Sequence, residues 1–351
     1  MAINQSVITD NYAFYHGDCV EFTESMPDKS VGLCVYSPPF AELYNYSSSP
    51  RDMSNCVNYE QFLEHYEYLV QHLARVTIPG RLNAIHCMEV PMGTLANRDM
   101  PGDIIRLYQK YGFQFLRKVM VWKEPLRVAI RTRVLNLRHS QIVKDSTKCY
   151  PAGPDYVVLM RKPGADEPVG NPLGLTYYAG ELDADKRGQV GLKPAPLHLQ
   201  SKFANWDDPR TNKWAHWIWQ QYASPVWMDI RMGRLLSRKI AKESPEEKHI
   251  CPLQLDVIER IVQMYSNPGD TVYSPFGGIG SEPRSAVALG RKGVGVELKE
   301  SYYRQAIRNL AAAAAAEELE EQDLFTGSEF AIEGDDPFET DGEDFSEEVS
   351  E

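Results

Sequence analysis

The 351-residue chain contains no apolar run approaching the length needed to cross a membrane as a helix, so no transmembrane helix is expected. Residues 1–10 lack the basic and apolar regions of a secretory leader, which gives the expectation of a cytoplasmic protein. The cysteines Cys19, Cys34, Cys56, Cys87, Cys149 and Cys251 are scattered, with no C-x-x-C pair. They read as reduced thiols, and no metal site is expected. Residues 317–351 have no Lys or Arg but hold 16 Asp or Glu, so the net charge of −12 becomes +4 for residues 1–316. A mildly basic body with an acidic tail is compatible with a nucleic-acid partner, which an acidic protein would not be. The tail carries too much like charge and too little apolar surface to fold, and is expected to be disordered.

What is present is an alternation of strand and helix signals. Strands are predicted around Tyr12–His16, at Val31–Tyr36, Arg81–Cys87, Phe115–Trp122, Asp155–Arg161, Thr271–Tyr273 and Val294–Glu297. Between them lie helix signals: a short one ending near Pro27, Tyr59–Val76, one opened by Pro101 and running to about Lys110, one around Val257–Tyr265, Glu282–Leu289, and Tyr302 to about Ala316. Such alternation implies an α/β fold with a doubly wound, largely parallel sheet. The rhythm breaks after Trp122. Residues 123–148 carry seven basic residues against two acids, residues 163–205 are rich in Gly and Pro, and five of the six tryptophans fall between 206 and 227. This divides the chain into 1–122, an inserted region 123–248 that contributes one sheet strand near 155–161, 249–316, and the tail 317–351.

Two stretches carry chemistry. The strand Val31–Tyr36 runs into Ser37-Pro38-Pro39-Phe40, where two prolines that cannot donate to a ladder end the strand at the edge where open α/β sheets bind ligands. The second stretch is Ser274-Pro275-Phe276-Gly277-Gly278-Ile279-Gly280-Ser281, between a strand and a helix, with Ser281 a candidate N-cap. Glu297 closes the next strand, 19 residues after Gly278 and well placed to hold a ribose hydroxyl pair. The third glycine of a dinucleotide fingerprint is missing, since Pro283 stands there, and Glu282 would oppose a pyrophosphate. A nucleoside ligand without phosphates fits better, and S-adenosylmethionine is a common one.

Together these segments resemble the bacterial and phage DNA methyltransferases that modify exocyclic amino groups, in their β-type motif order. The resemblance covers residues 12–162 and 249–310. It implies a Rossmann-like methyltransferase sheet with an inserted target-recognition region, S-adenosylmethionine as cofactor, and double-stranded DNA as partner. A bacterial or phage-infected cell is the implied setting, with a cognate restriction nuclease an open option. The catalytic motif is matched by Ser37, Pro38, Pro39 and Phe40. Cofactor contacts are implied for Asp18 and Cys19 of a Gly-Asp-Cys element, for Pro252, and for Ser274, Phe276, Gly277, Gly278, Gly280 and Glu297. In one departure, Ser274 stands where the family's turn has Asp, and it has no carboxylate to offer the cofactor's methionyl ammonium.

Within that resemblance, Ser37 and the Pro38 carbonyl accept hydrogen bonds from an amino nitrogen, Phe40 stacks on the base, and the base is flipped from the duplex. Methylation at cytosine carbon-5 uses a Pro-Cys nucleophile, and the chain has no Pro-Cys. Lys123, Arg127, Arg131, Arg133, Arg138 and Lys144 are candidates for DNA contacts, against the alternative of a solvated basic face. The tryptophan cluster is expected to be the core of the recognition region. Ser at the first motif position favours N4 of cytosine over N6 of adenine. RNA or a protein amide as substrate, and a catalytically silent DNA-binding protein, are the competing readings.

Overall fold

The computed structural model describes residues 3–40, 49, 51–92, 96–126, 128, 138–165, 168–170, 219, 221–237 and 252–326, with side chains to 316. Along the chain these form β1 (Gln5–Ile8), β2 (Tyr12–His16), α1 (Cys19–Ser25), β3 (Val31–Tyr36), α2 (Tyr59–Val76), β4 (Thr77–Cys87), β5 (Val90–Met92), β6 (Ala96–Arg98), α3 (Met100–Lys110) and β7 (Gln114–Val121). There follow α4 (His139–Lys144), β8 (Asp155–Arg161), β9 (Val226–Trp227), α5 (Leu255–Tyr265), β10 (Thr271–Ser274), α6 (Ser281–Val287), β11 (Lys292–Glu297) and α7 (Glu300–Thr326). Among the described residues no helix is long and apolar enough to cross a membrane.

The main sheet has nine strands in the order β1-β2-β11-β10-β3-β4-β8-β7-β9. Strands β2, β11, β10, β3 and β4 are mutually parallel, and β8 enters antiparallel between β4 and β7. All six residues of β3 are buried because both faces are covered. Cys34 and Tyr36 pack with α1, α2 and α3 through Phe22, Phe62, Leu69, Leu73 and Ile104, while Leu33 and Val35 pack on the other face with Ile258, Ile261 and Ala286 of α5 and α6. The chain winds from β3 to β4 on one side and from β10 to β11 on the other. The β3–β10 pair is therefore the point where the direction of winding reverses, and a crevice opens there beyond the strand ends.

The structure departs from the sequence reading in four places, each with a physical cause. Strand β4 begins at Thr77, directly after α2, so Pro79 and Gly80 lie inside it. Gly80 takes φ +86°, and the β3–β4 register shifts between Val31 and Leu33, a bulge that accommodates a proline without a ladder donor. Helix α6 starts at Ser281 with Gly280 as its left-handed cap (φ +86°), so Ser281 is not the N-cap. Helix α7 continues past Ala316 to Thr326, because the alanine run and the Glu-Glu-Leu-Glu-Glu-Gln segment after it are good helix formers. The inserted region adds a second segment to the sheet besides 155–161. Strand β9 joins the sheet edge beside β7, and Trp227 and Ile230 bury themselves in the main core. Arg231 and Arg234 then clamp Asp256 of α5, both at 2.8 Å. Trp227 thus belongs to the main core; Trp206, Trp214 and Trp217 lie outside the described residues.

Candidate active site

The carboxyl ends of β3 and β10 open into a cleft with an empty volume of about 1050 Å³, its open mouth included. One wall is Ser37, Pro38, Pro39 and Phe40, carried directly on β3. The support beneath them is rigid. The Tyr36 hydroxyl lies 2.5 Å from both the Tyr66 and the Tyr108 hydroxyls, and Asn83 reaches Tyr108 at 3.5 Å. The strand end is thereby tied to α2, α3 and β4, and burial pushes the pKa of each of these phenols up, so they remain neutral donors and acceptors. The Ser37 hydroxyl makes no hydrogen bond to any described residue and is left open to the cleft.

The facing wall is the glycine turn. Pro275, Phe276, Gly277, Gly278 and Ile279 line it. Gly277 is needed for close packing, since a Cβ there would meet the Phe14 ring at 2.6 Å and the Val296 carbonyl at 3.1 Å. Gly278 has φ +51° and nothing within 4 Å of a built Cβ, so open space is left beside its amide. That amide donates to the Glu297 carboxylate at 2.8 Å, and the Lys299 amide donates to the other oxygen at 2.9 Å. Burial raises the Glu297 pKa to about 7, against the lowering by those two amides.

A third side is made by Gly17, Asp18 and Cys19. Asp18 caps α1 by accepting from the Val20 and Glu21 amides at 2.9 and 3.0 Å, and the Gly17 amide donates to the Glu297 carbonyl at 3.0 Å. Burial, then Asp18 and Glu297, push the Cys19 thiol well up, so it acts as a neutral wall. Pro252 and Leu253 close the cleft from the start of α5.

Most of the expected site residues therefore meet in one place, from segments spread over the whole chain. Two do not reach the cleft wall: Gly280 packs behind it against Ala306, and Ser274 is fully buried at the end of β10. The sequence reading missed Arg51, Asp52, Met53, Glu282, Lys299 and, as a wall residue, Tyr302. The first three sit on the Ser/Asn/Tyr-rich loop after the Pro-Pro turn, whose composition signals only a loop. Lys299 lies 4.5 Å above the Tyr302 ring, two residues beyond Glu297.

Of the basic candidates, Lys123 has another task. It ion-pairs with Asp155, which also lies 3.3 Å from His86. Burial alone would raise the Asp155 pKa, but His86 and Lys123 outweigh it and hold the carboxyl below its usual value. Arg138, just before α4, and Lys144, at its end, are exposed. Arg127, Arg131 and Arg133 lie outside the described residues.

The chemistry of the walls selects the ligand class. Asp18, Asp52, Glu282 and Glu297 face the space, and Arg51 is engaged 2.6 Å from Glu21. This carboxyl-rich lining, with Lys299 as the cation at its rim, disfavours a pyrophosphate and suits a nucleoside bearing positive charge.

The profile of the N6/N4 family of DNA methylases matches residues 31–308. The chain belongs to that family. Among curated relatives it is 24% identical to the type II methyltransferase M.BamHI of Bacillus amyloliquefaciens over 83% of this chain, but spans only 55% of that protein. It is 24% identical to the type II methyltransferase M.ScaI of Streptomyces caespitosus, over 87% of this chain and 83% of the relative. A Thermus thermophilus protein described as a DNA modification methylase, solved with S-adenosyl-L-methionine, superposes with a TM-score of 0.53 at 21% identity. The match covers 85% of this chain and 94% of that one, and it establishes the methylase's doubly wound fold for this chain.

Proposed function

We propose that this methylase transfers a methyl group from S-adenosylmethionine to the exocyclic N4 of a cytosine flipped out of double-stranded DNA. The observation that carries the reading is the position of Ser37-Pro38-Pro39-Phe40 across the cleft from the glycine turn and Glu297. The cofactor supplies an electrophilic methyl group. Glu297, anchored by the Gly278 amide, holds its ribose side, with Asp18 and Cys19 toward the adenine.

The amino group of a base is a poor nucleophile because its lone pair is delocalised into the ring. The Ser37 hydroxyl and the Pro38 carbonyl accept its two N–H groups and favour the pyramidal form in which the lone pair is free. Two prolines and the Tyr36–Tyr66–Tyr108 cluster hold those acceptors in place beforehand, so little reorganisation is needed as charge develops. Phe40, half-buried at the cleft wall, stacks on the extruded base. Extrusion costs about a few kcal/mol, which stacking and the hydrogen bonds offset. Arg138, just before α4, and Lys144, at its end, supply phosphate contacts.

Cytosine rests on Ser37 in the first position of the motif. Adenine N6 is the second reading, supported by a 75-residue stretch 40% identical to the DNA adenine methyltransferase YhdJ of Escherichia coli. Mass spectrometry of nucleosides from DNA incubated with the protein and S-adenosylmethionine separates the two. N4-methylcytosine is the expected product. N6-methyladenine would keep the mechanism and change the base, and no methylated base on varied DNAs would overturn both.

A further inference from the structure

The chemistry above leaves one buried carboxyl without a task. Glu282 is 5% exposed, stands in the first turn of α6 and lines the cleft. Ala286, one turn further along α6, packs in the same apolar cluster as Leu253 and Leu255, so Glu282 faces the cleft from the Pro252–Leu253 side. Among the described residues no cationic side chain compensates it; its electrostatic neighbours are its own amide and the like-charged Glu297. Burial pushes its pKa up to about 8. A carboxyl in such a place is costly to ionise until a cation arrives.

Ser274 presents the complementary fact. It occupies the position at which the resembling turn carries Asp, it is fully buried behind the cleft wall, and its hydroxyl has no hydrogen-bond partner among the described residues. The carboxyl expected at the end of β10 is absent there, and one stands on α6 instead. We propose that Glu282 supplies the carboxylate that Ser274 lacks, receiving the α-ammonium of the cofactor's methionyl group. An ammonium offers three N–H donors to a carboxylate, whereas a sulfonium offers none. Bringing the ammonium to Glu282 also leaves the sulfonium free to face Ser37 and Pro38.

The assignment rests on S-adenosylmethionine being the cofactor, and the test separates the two. Calorimetry on the full chain compares S-adenosylmethionine, S-adenosylhomocysteine and 5′-methylthioadenosine, which lacks the ammonium. Glu282→Gln is expected to weaken the first two alike, by about tenfold or more, and 5′-methylthioadenosine by less than about twofold. Glu282→Asp, which keeps the charge, is expected to retain the preference for S-adenosylhomocysteine over 5′-methylthioadenosine. Equal loss for all three ligands, or no loss for S-adenosylhomocysteine, overturns the assignment. A larger loss for S-adenosylmethionine than for S-adenosylhomocysteine would give Glu282 to the sulfonium and also overturn it. Failure of the unaltered protein to bind any of the three would overturn the cofactor reading itself.

Discussion

The Gly278 amide donates to the Glu297 carboxylate at 2.8 Å, joining the glycine turn to the end of the neighbouring strand. One oxygen is anchored by Gly278 and the other by Lys299, so the carboxylate is fixed before any ligand arrives. Glu297→Gln replaces one acceptor oxygen by an NH₂ that faces an amide donor, which is repulsive. Cofactor affinity is expected to fall about tenfold or more, with the fold retained. Titration calorimetry with S-adenosylhomocysteine checks this, and unchanged affinity would remove Glu297 from the ribose site.

That pairing was legible because the glycine turn and the acidic strand end lie at fixed local offsets, 19 residues apart. The Pro-Pro stop after β3 was legible for the same reason. Glu282 was visible in the sequence only as an obstacle to a phosphate. Its burial and its lack of a counter-charge arise from the packing of α6 on α5 and β10, which no local pattern records. The Pro79–Gly80 bulge was misread because a Pro-Gly pair usually ends an element, and here the bulge in the ladder absorbs it. The fate of Lys123 likewise depended on Asp155, 32 positions away in sequence but on the adjacent strand.

Tyr36 holds the end of β3 through its hydroxyl contacts with Tyr66 and Tyr108, 2.5 Å each. Tyr36→Phe keeps the ring but takes from the two buried hydroxyls of Tyr66 and Tyr108 their shared partner, leaving Asn83 beside Tyr108. The expected cost is about 1–3 kcal/mol of stability, read by denaturant unfolding. Because Ser37 is the next residue, kcat should also drop while cofactor Kd stays within about twofold. A loss confined to cofactor binding would contradict the supporting role.

Lys123 and the α4 cations should separate cleanly in a salt titration. Lys123→Met leaves the buried Asp155 with His86 as its remaining charge partner among the described residues. Breaking a largely buried pair of this kind is expected to cost about 2–4 kcal/mol. The slope of log K against log salt for DNA binding should not change. Arg138→Ala with Lys144→Ala should do the reverse, lowering the slope by up to about 2 and leaving stability nearly intact. A shallower slope in the Lys123 variant would restore it to the DNA contacts.

The two cleft carboxyls also give the protein a pH dependence of definite sign. Burial raises Glu282 to about 8 and Glu297 to about 7 from an ordinary value of 4.5. Between about pH 4.5 and 8 the folded state therefore holds protons that the unfolded chain has released, so unfolding free energy falls as pH rises through that window. Asp155 and Asp256, held below their ordinary values, act only on the acid side of it, while His72, which burial lowers from 6.5, works against the decline within it. The buried thiols Cys19 and Cys34 are pushed well up and lie above it. The ligand-free midpoint temperature should accordingly decline from pH 5 to pH 8, by an amount corresponding to on the order of a few kcal/mol. Glu282→Gln, which has no proton to lose, should make the decline shallower. Saturating S-adenosylhomocysteine should do the same in the unaltered protein, because an ammonium beside Glu282 lowers its pKa toward the unfolded value. A midpoint that rises over this range, or a decline identical in the variant, would show that the carboxyl is ionised already at neutral pH and has a partner other than the cofactor.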